Sequence, residues 1–109
     1  MNFTEYQELA KKTAIYPSRF FRVYPALGLC GEAGEVAEKI KKSIRDGIDY
    51  GYEEEFKADL TKELGDVLWF VAQMATELKV DLEYIAETNI KKLASRAKRG
   101  KIKGSGDNR

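Results

Sequence analysis

The chain has 109 residues, 43% of them hydrophobic and 34% charged, with a formal net charge of +1. This length suits one compact domain, and the composition excludes wholesale disorder. No apolar run approaches the roughly 18 to 20 residues that span a bilayer, and the N-terminal segment lacks the apolar centre of a signal peptide, so we expect a cytoplasmic protein without membrane partners.

The residue types limit the metal chemistry. Cys30 is the single cysteine and histidine is absent, which excludes an intrachain disulfide and the usual zinc ligand sets. A carboxylate-bridged di-iron bundle is excluded as well, because its usual Glu-x-x-His units need histidine. Any bound ion should be one that oxygen ligands suit, such as magnesium, manganese or calcium.

Helical periodicity dominates the chain, and no stretch alternates apolar and polar residues for long enough to indicate a strand. We therefore predict an all-α, four-helix bundle-like protomer. Thr4 and Gln7 form a capping box for a first helix that should end before Pro17. Pro25 suits the first turn of a second helix that runs to about Arg45.

Turn residues between positions 46 and 51 predict a loop before the third helix. The third helix should run from Glu53 to about Lys79. Asp81 can cap a fourth helix that reaches roughly Lys98. We expect these helices to form one domain over residues 1–99.

The C-terminal segment GKIKGSGDNR is basic and carries three glycines. Residues 91–109 hold eight basic and one acidic side chain, whereas residues 1–90 hold 11 basic and 17 acidic ones. We predict that residues 100–109 form a flexible tail unless a ligand orders them. The tail is either a solvated end or a segment that meets phosphate.

Acidic residues recur at the edge of the apolar face on two helices. On a helical wheel, Glu32 lies at that edge and Glu35 lies about 60° further out. Glu63 and Asp66 repeat this arrangement on the third helix. If the two helices pack antiparallel through their apolar faces, the four carboxylates converge on one pocket. Their mutual repulsion then requires cations, and divalent metal ions are the simplest ones.

Two features near these acids have competing explanations. Glu38 forms a favourable i,i+4 pair with Lys42, which is typical of a solvated helix surface. Gly34 and Gly65, each lying between the two acids of a pair, cost about 1 kcal/mol apiece within a helix. They indicate either close helix packing or a need for ligand access.

The fourth helix and one aromatic residue complete the pattern. Asn89 falls within the apolar stripe, with Lys92 and Arg96 along one edge. A buried Asn89 either fixes helix register or, with the two cations, faces a polyanion opposite the carboxylates.

Trp69 points away from the apolar stripe of the third helix, which predicts a second packing interface and a homo-oligomer.

The two acidic pairs occur in a recognisable setting. Glu32-x-x-Glu35 within GLCGEAGEVAEKIKK is followed after 27 residues by Glu63-Leu-Gly-Asp66 within KELGDVLWFVA. This arrangement resembles the ExxE and ExxD signature of the MazG-like, all-α nucleoside triphosphate pyrophosphohydrolases. The resemblance implies a homodimer or homotetramer that cleaves a nucleoside triphosphate between the α and β phosphates. Magnesium, or manganese as a substitute, would be held by the motif acids.

The resemblance assigns roles to individual residues. It implies four metal ligands: Glu32, Glu35, Glu63 and Asp66. Glu38 is either a further ligand or an outer group, and Glu35 would orient or deprotonate the attacking water. Asn89 and Lys92 match positions that face sugar and phosphate in relatives. The charge asymmetry adds four candidates for stabilising the departing pyrophosphate: Arg96, Lys101, Lys103 and Arg109.

The sequence is also compatible with two other functions. The related phosphoribosyl-ATP pyrophosphohydrolases have similar acids. A non-enzymatic nucleic-acid-binding module would use the basic tail but would leave the four acids unexplained, so we regard nucleic acid as an unfavoured partner. Several aromatic residues either stack on a substrate base or simply pack in the protein: Phe20, Phe21, Tyr50 and Trp69.

Overall fold

The computed structural model describes residues 1–48 and 53–109. Its helices are α1 (Phe3–Lys11), α2 (Val23–Asp46), α3 (Glu54–Glu77) and α4 (Leu82–Lys98), and a 3-10 turn (Ser18–Phe20) precedes α2. The described ranges contain no strand, so the all-α prediction is confirmed. The predicted turn residues 49–51 lie outside those ranges.

Local sequence determines where most of the helices begin and end. Pro25 lies in the first turn of α2, and Gly47 ends that helix in the left-handed conformation at φ 70°, as a helix C-terminus favours. Asp81 caps α4 by accepting a hydrogen bond from the Glu83 backbone N–H. These boundaries agree with the expectations from the sequence.

The predicted capping box of α1 is wrong. Asn2 is the N-cap, and its side chain accepts a hydrogen bond from the Glu5 backbone N–H. Thr4 already lies inside the helix, where its hydroxyl donates to the Asp81 carboxylate at 3.0 Å. Gln7 is buried and hydrogen-bonded to other parts of the chain, so tertiary contacts use both predicted capping residues.

Helices α2 and α3 form an antiparallel pair. Gly28, near the start of α2, lies against Phe70 in the later half of α3. Eleven residues further along α2, Lys39 forms a 3.6 Å ion pair with Glu63 in the earlier half of α3. A Cβ added at Gly28 would overlap the Phe70 ring, so this glycine permits the close approach of the two helices.

Helix α1 covers a different flank of α3. The buried apolar cluster consists of Ala10, Ala72, Ala75 and Leu82. The buried side chain of Gln7 donates hydrogen bonds to Thr76 Oγ1 and the Val80 carbonyl and accepts one from the Leu82 backbone N–H. These three bonds fasten α1 to the turn between α3 and α4.

Much of the predicted apolar surface is exposed in the single protomer. Ile44 on the apolar face of α2 and Leu64 on that of α3 are 68% and 57% exposed. The side chains of Leu27 and Ile90 are similarly exposed. The radius of gyration is 16.8 Å, whereas a compact chain of this length has one of about 13 Å. The contact between α2 and α3 within one protomer therefore leaves part of their apolar faces uncovered.

None of the helices within the described ranges combines the length and hydropathy that crossing a bilayer requires.

Candidate metal centre

Three acidic side chains meet where α2 and α3 pack. Glu32 on α2 and Glu63 and Asp66 on α3 each place a carboxylate oxygen within 4.8 Å of the other two. Glu63 and Asp66 are three residues apart, so they lie one above the other on the same side of α3. The antiparallel packing of the two helices brings Glu32 opposite them.

The electrostatics of this acidic cluster favour a cation. Burial raises the pKa of Glu32, and the negative charges of Asp66, Glu63 and Glu35 raise it further. Each of these causes disfavours the carboxylate form of Glu32. A divalent cation between the three groups would reverse the effect, because it stabilises the charged form of every ligand.

A lysine from α2 supplies part of the missing positive charge. The Lys39 ammonium lies 3.6 Å from a Glu63 oxygen, and the Glu63 side chain is 18% exposed. A single ammonium group cannot balance three carboxylates. The cluster thus retains a net negative charge that suits a divalent ion.

The other two glutamates of α2 differ from Glu32. Glu35 is exposed and lies outside the three-residue cluster, although its charge contributes to the raised pKa of Glu32. Glu38 pairs with Lys41 at 2.6 Å and with Lys42 at 3.9 Å. The hydrogen bond from Lys41 lowers the pKa of Glu38. The structure therefore places Glu38 in a surface ion-pair network.

Open space surrounds the acidic cluster. An added Cβ at Gly34 or Gly65 would meet no other group within 4 Å. Close helix packing within the described protomer therefore does not account for these glycines. A concavity of about 300 Å³ lies beside the acidic cluster, and its lining consists of Glu32, Asp66, Trp69 and Phe70.

The donor set fits a hard divalent ion. Mg²⁺ binds oxygen at 2.0 to 2.1 Å in octahedral geometry, which places adjacent ligand oxygens about 3 Å apart and opposite ones about 4 Å apart. The three carboxylates lie within 4.8 Å of one another, so small side-chain rotations bring them to that spacing. The ion normally keeps several positions for water or phosphate oxygens, and the open side of the cluster leaves room for them.

The predicted substrate residues of α4 lie apart from this cluster. Asn89 is exposed, so its predicted burial is wrong: α4 packs on α1 and α3 with another face. Lys92 forms a 3.4 Å ion pair with Asp107. Arg96 is only 5% exposed and donates a 2.7 Å hydrogen bond to the Asp107 carbonyl. Within the described ranges, none of the three contacts the acidic cluster.

The C-terminal tail folds back toward α4. The Arg109 guanidinium donates to three backbone carbonyls of the tail, those of Lys101, Ile102 and Gly106. Arg99, the C-cap of α4, donates a hydrogen bond to the Arg109 carbonyl. The guanidinium groups thus satisfy the tail's own backbone. Of the tail cations proposed for substrate, Lys101 and Lys103 have exposed side chains.

The aromatic residues considered for stacking on a substrate base differ in their surroundings. Trp69 is half-buried, and its indole N–H donates to Thr13 Oγ1 at 2.9 Å. The surface that contacts Trp69 thus includes the segment just after α1 of the same chain. Phe20 and Phe21 are exposed next to arginines, and Tyr50 lies outside the described residues.

Two polar residues of α3 escaped the sequence reasoning. Gln73 and Glu77 are buried, at 1% and 7% exposure. Both carboxylate oxygens of Glu77 accept hydrogen bonds, one from the Tyr16 hydroxyl and one from the Arg22 backbone N–H. On a helical wheel these residues share a polar flank of α3 with Asp66, and the end of α1 and the segment before α2 cover that flank. The spacing Gln73-x-x-x-Glu77 on the same face as Asp66 was the available signal.

The fold and the cluster define a class: an all-α protein in which two antiparallel helices present carboxylates suited to a divalent cation. Residues 25–100 match the MazG nucleotide pyrophosphohydrolase domain. The chain belongs to that family, and its expected activity is therefore that of a nucleotide pyrophosphohydrolase. The chain is also 48% identical to the Gene 37 protein of Mycobacterium phage L5 over 115 aligned positions, which cover 100% of both chains. No solved structure gave a significant match.

Proposed function

We propose that the protein is a magnesium-dependent enzyme that hydrolyses a nucleoside triphosphate between the α and β phosphates, releasing the monophosphate and pyrophosphate. The observation that carries this proposal is the convergence of Glu32, Glu63 and Asp66 to within 4.8 Å in a member of this family. Triphosphate hydrolysis needs neutralisation of the phosphate charge, and an acidic cluster that holds a cation supplies it.

Glu32, Glu63 and Asp66 would hold the ion, which supplies Lewis acidity toward the phosphate oxygens and lowers the pKa of water. Glu35 lies one turn beyond Glu32 and is exposed, so it is free to move toward the ion or toward a water molecule. We assign Glu35 the role of orienting and deprotonating the water that attacks the α-phosphorus. Proton transfer to the Glu35 carboxylate would accompany formation of the new P–O bond, while the bond from the α-phosphorus to the α,β-bridging oxygen breaks and pyrophosphate leaves.

Basic groups would complete the site by binding the departing pyrophosphate. Lys92 is accessible, because its side chain is 39% exposed and that of its partner Asp107 is 88% exposed. Such a surface ion pair is weak and can be exchanged for a polyphosphate. Arg96 binds tail carbonyls, so its contribution requires movement of the tail. Asn89 shares a concavity with Lys92 and would contact the sugar.

A second copy of the chain would complete the arrangement. The exposed apolar side chains of α2, α3 and α4 favour self-association, and the basic face of α4 does not meet the acidic cluster within one protomer. We therefore propose a homodimer or homotetramer in which a neighbouring copy covers these faces. The molar mass in solution, measured by light scattering, tests this part directly.

The activity is tested by measuring pyrophosphate release from a panel of common and modified ribo- and deoxynucleoside triphosphates, with and without Mg²⁺. Glu35→Gln on α2 and Asp66→Asn on α3 are the site variants. Glu38→Gln, on the surface of α2, is the matched control for Glu35→Gln. Loss of release in the two site variants supports the assignment. Full activity in both would refute it, and no release from any triphosphate would refute the proposed activity.

A further inference from the structure

A second concavity lies along α3 beyond the acidic cluster. It encloses about 290 Å³, and its walls come from the end of α1, the segment before α2 and the last turns of α3. The lining includes two aromatic rings, Tyr16 and Phe21, and three polar side chains, Gln73, Thr76 and Glu77. The proposed chemistry at the metal centre uses none of these residues.

The amide of Gln73 lacks a partner that burial normally requires. Gln73 is 1% exposed, and its Nε2 finds no hydrogen-bond acceptor within the described part of the chain. Buried polar groups without partners are destabilising and uncommon. Gln7, the other buried glutamine among the described residues, has both ends of its amide satisfied by Thr76, Val80 and Leu82. Hydrogen bonds within the protein thus account for the burial of the Gln7 amide, whereas they leave the Nε2 of Gln73 unpaired.

The wall of this concavity is held in place by a buried acid. Glu77 accepts hydrogen bonds from the Tyr16 hydroxyl at 2.6 Å and from the Arg22 backbone N–H. Arg22 has a φ of 65°, which is unfavourable for a residue with a side chain. The bonds to Glu77 thus fix the segment that carries Tyr16 and Phe21 against α3.

The position of Gln73 relates the concavity to the metal centre. Gln73 follows Asp66 by seven residues, which is two helical turns, about 10 Å along the axis and about 20° around it. Trp69 and Phe70 lie between them on α3, and both line the opening beside the acidic cluster. The two concavities therefore follow one another along α3: the first lies beside the carboxylates and two aromatic rings, and the second contains the unpaired Gln73 Nε2.

We propose that this concavity binds the nucleobase of the substrate and that the Gln73 amide hydrogen-bonds with the edge of the base. The inference rests on the proposed function, since it takes the phosphates to lie at the acidic cluster. Every nucleobase carries acceptor atoms on its edge that an amide N–H can meet. Its faces can pack on aromatic side chains such as Tyr16 and Phe21.

This assignment makes Gln73 a specificity-determining residue. A site built to hydrogen-bond one part of a substrate discriminates against substrates that lack it, because the buried polar group is then left unpaired. The variant Gln73→Leu should lower kcat/KM for nucleoside triphosphates by about tenfold, the order expected for one hydrogen bond. The same variant should leave kcat/KM unchanged for ribose 5-triphosphate, which has the sugar and phosphates but no base.

Gln7→Leu is the matched control, because it removes a buried amide that is already satisfied. It should lower the Tm and leave the preference for base-bearing over base-free substrate unchanged. Gln73→Leu should show the opposite pattern, with an unchanged or higher Tm and a reduced preference. An equal loss on both substrates in Gln73→Leu, no loss on either, or a lower Tm without any change in preference would overturn the proposal.

A binding measurement separates this inference from the proposed activity. Nucleoside monophosphates and ribose 5-phosphate are titrated by calorimetry into wild type and Gln73→Leu, without divalent cation. Tighter binding of nucleotides than of ribose 5-phosphate in wild type, lost in the variant, supports the base site even if no triphosphate is cleaved. The absence of such a preference in wild type overturns the base site even if pyrophosphate release is observed.

Discussion

Replacing Glu32 by glutamine should stabilise the metal-free protein and abolish its response to magnesium. Glu32 lies within 4.8 Å of two other carboxylates, and their charges raise its pKa. One such repulsion is worth about 0.9 kcal/mol in a water-like dielectric, the appropriate choice for partly exposed groups. Lys39 offsets part of the effect through Glu63. We therefore expect a net gain of about 1 kcal/mol, which raises Tm by about 4 to 8 °C for a domain of this size.

Although Glu32→Gln should stabilise the metal-free protein, it should reduce the further stabilisation that Mg²⁺ provides. At an Mg²⁺ concentration of ten times its Kd, wild type gains about 1.4 kcal/mol by mass action. The Glu32→Gln protein loses one charged ligand and should show little of this increment. The assay is thermal unfolding at one fixed protein concentration, with EDTA and then with increasing Mg²⁺. A lower Tm in EDTA together with an undiminished Mg²⁺ shift would refute the reasoning.

The acidity of Glu32 also predicts a dependence on pH. Because the folded protein raises the pKa of Glu32 above its unfolded value, the metal-free protein binds this proton more tightly when folded. The associated stability is fully present below the unfolded pKa and is lost as the pH rises through the folded one. Metal-free wild type should thus lose more stability across this acidic range than Glu32→Gln, as denaturant unfolding at several pH values would reveal. Equal pH dependence in the two proteins would argue against the raised pKa.

Three further variants test separate parts of the structure. Gly28→Ala should lower both Tm and activity, because the added Cβ overlaps the Phe70 ring that lines the site; unchanged values of both would contradict the close approach of α2 and α3. Glu38→Gln should leave the Mg²⁺ dependence of pyrophosphate release unchanged, since Glu38 already pairs with lysines; a markedly higher Mg²⁺ requirement would make Glu38 a ligand. Deletion of residues 100–109 should raise KM or slow turnover, and it removes the carbonyls that bind Arg96; unaltered kinetics would exclude the tail from the reaction.

The sequence was informative about helices because their signals are local. Pro25, Gly47 and Asp81 mark helix boundaries through their own backbone and side-chain chemistry, and the structure places them as expected. The capping box at Thr4 failed because its hydroxyl binds Asp81, 77 residues away. A contact of that separation leaves no trace in local spacing.

The acidic site was only partly accessible to the same reasoning. The three-residue spacing of Glu63 and Asp66 places both on one side of a helix, and wheel geometry put Glu32 at the matching edge of another. Three carboxylates do converge. Wheel geometry treats a helix as a cylinder without neighbours, so it did not separate Glu35 from these three. It also did not show that Lys39 would reach across to Glu63.

What the sequence determined by itself was the helical class, most helix ends and the pairing of acids on two helices, because each depends on residues within a few turns of one another. Tertiary structure alone decided which polar groups are buried with partners and which are buried without them. Gln7 and Gln73 are the same residue type on helices, yet one is satisfied by three bonds and the other has an unpaired Nε2. That difference depends on where α1 and the segment before α2 pack on α3.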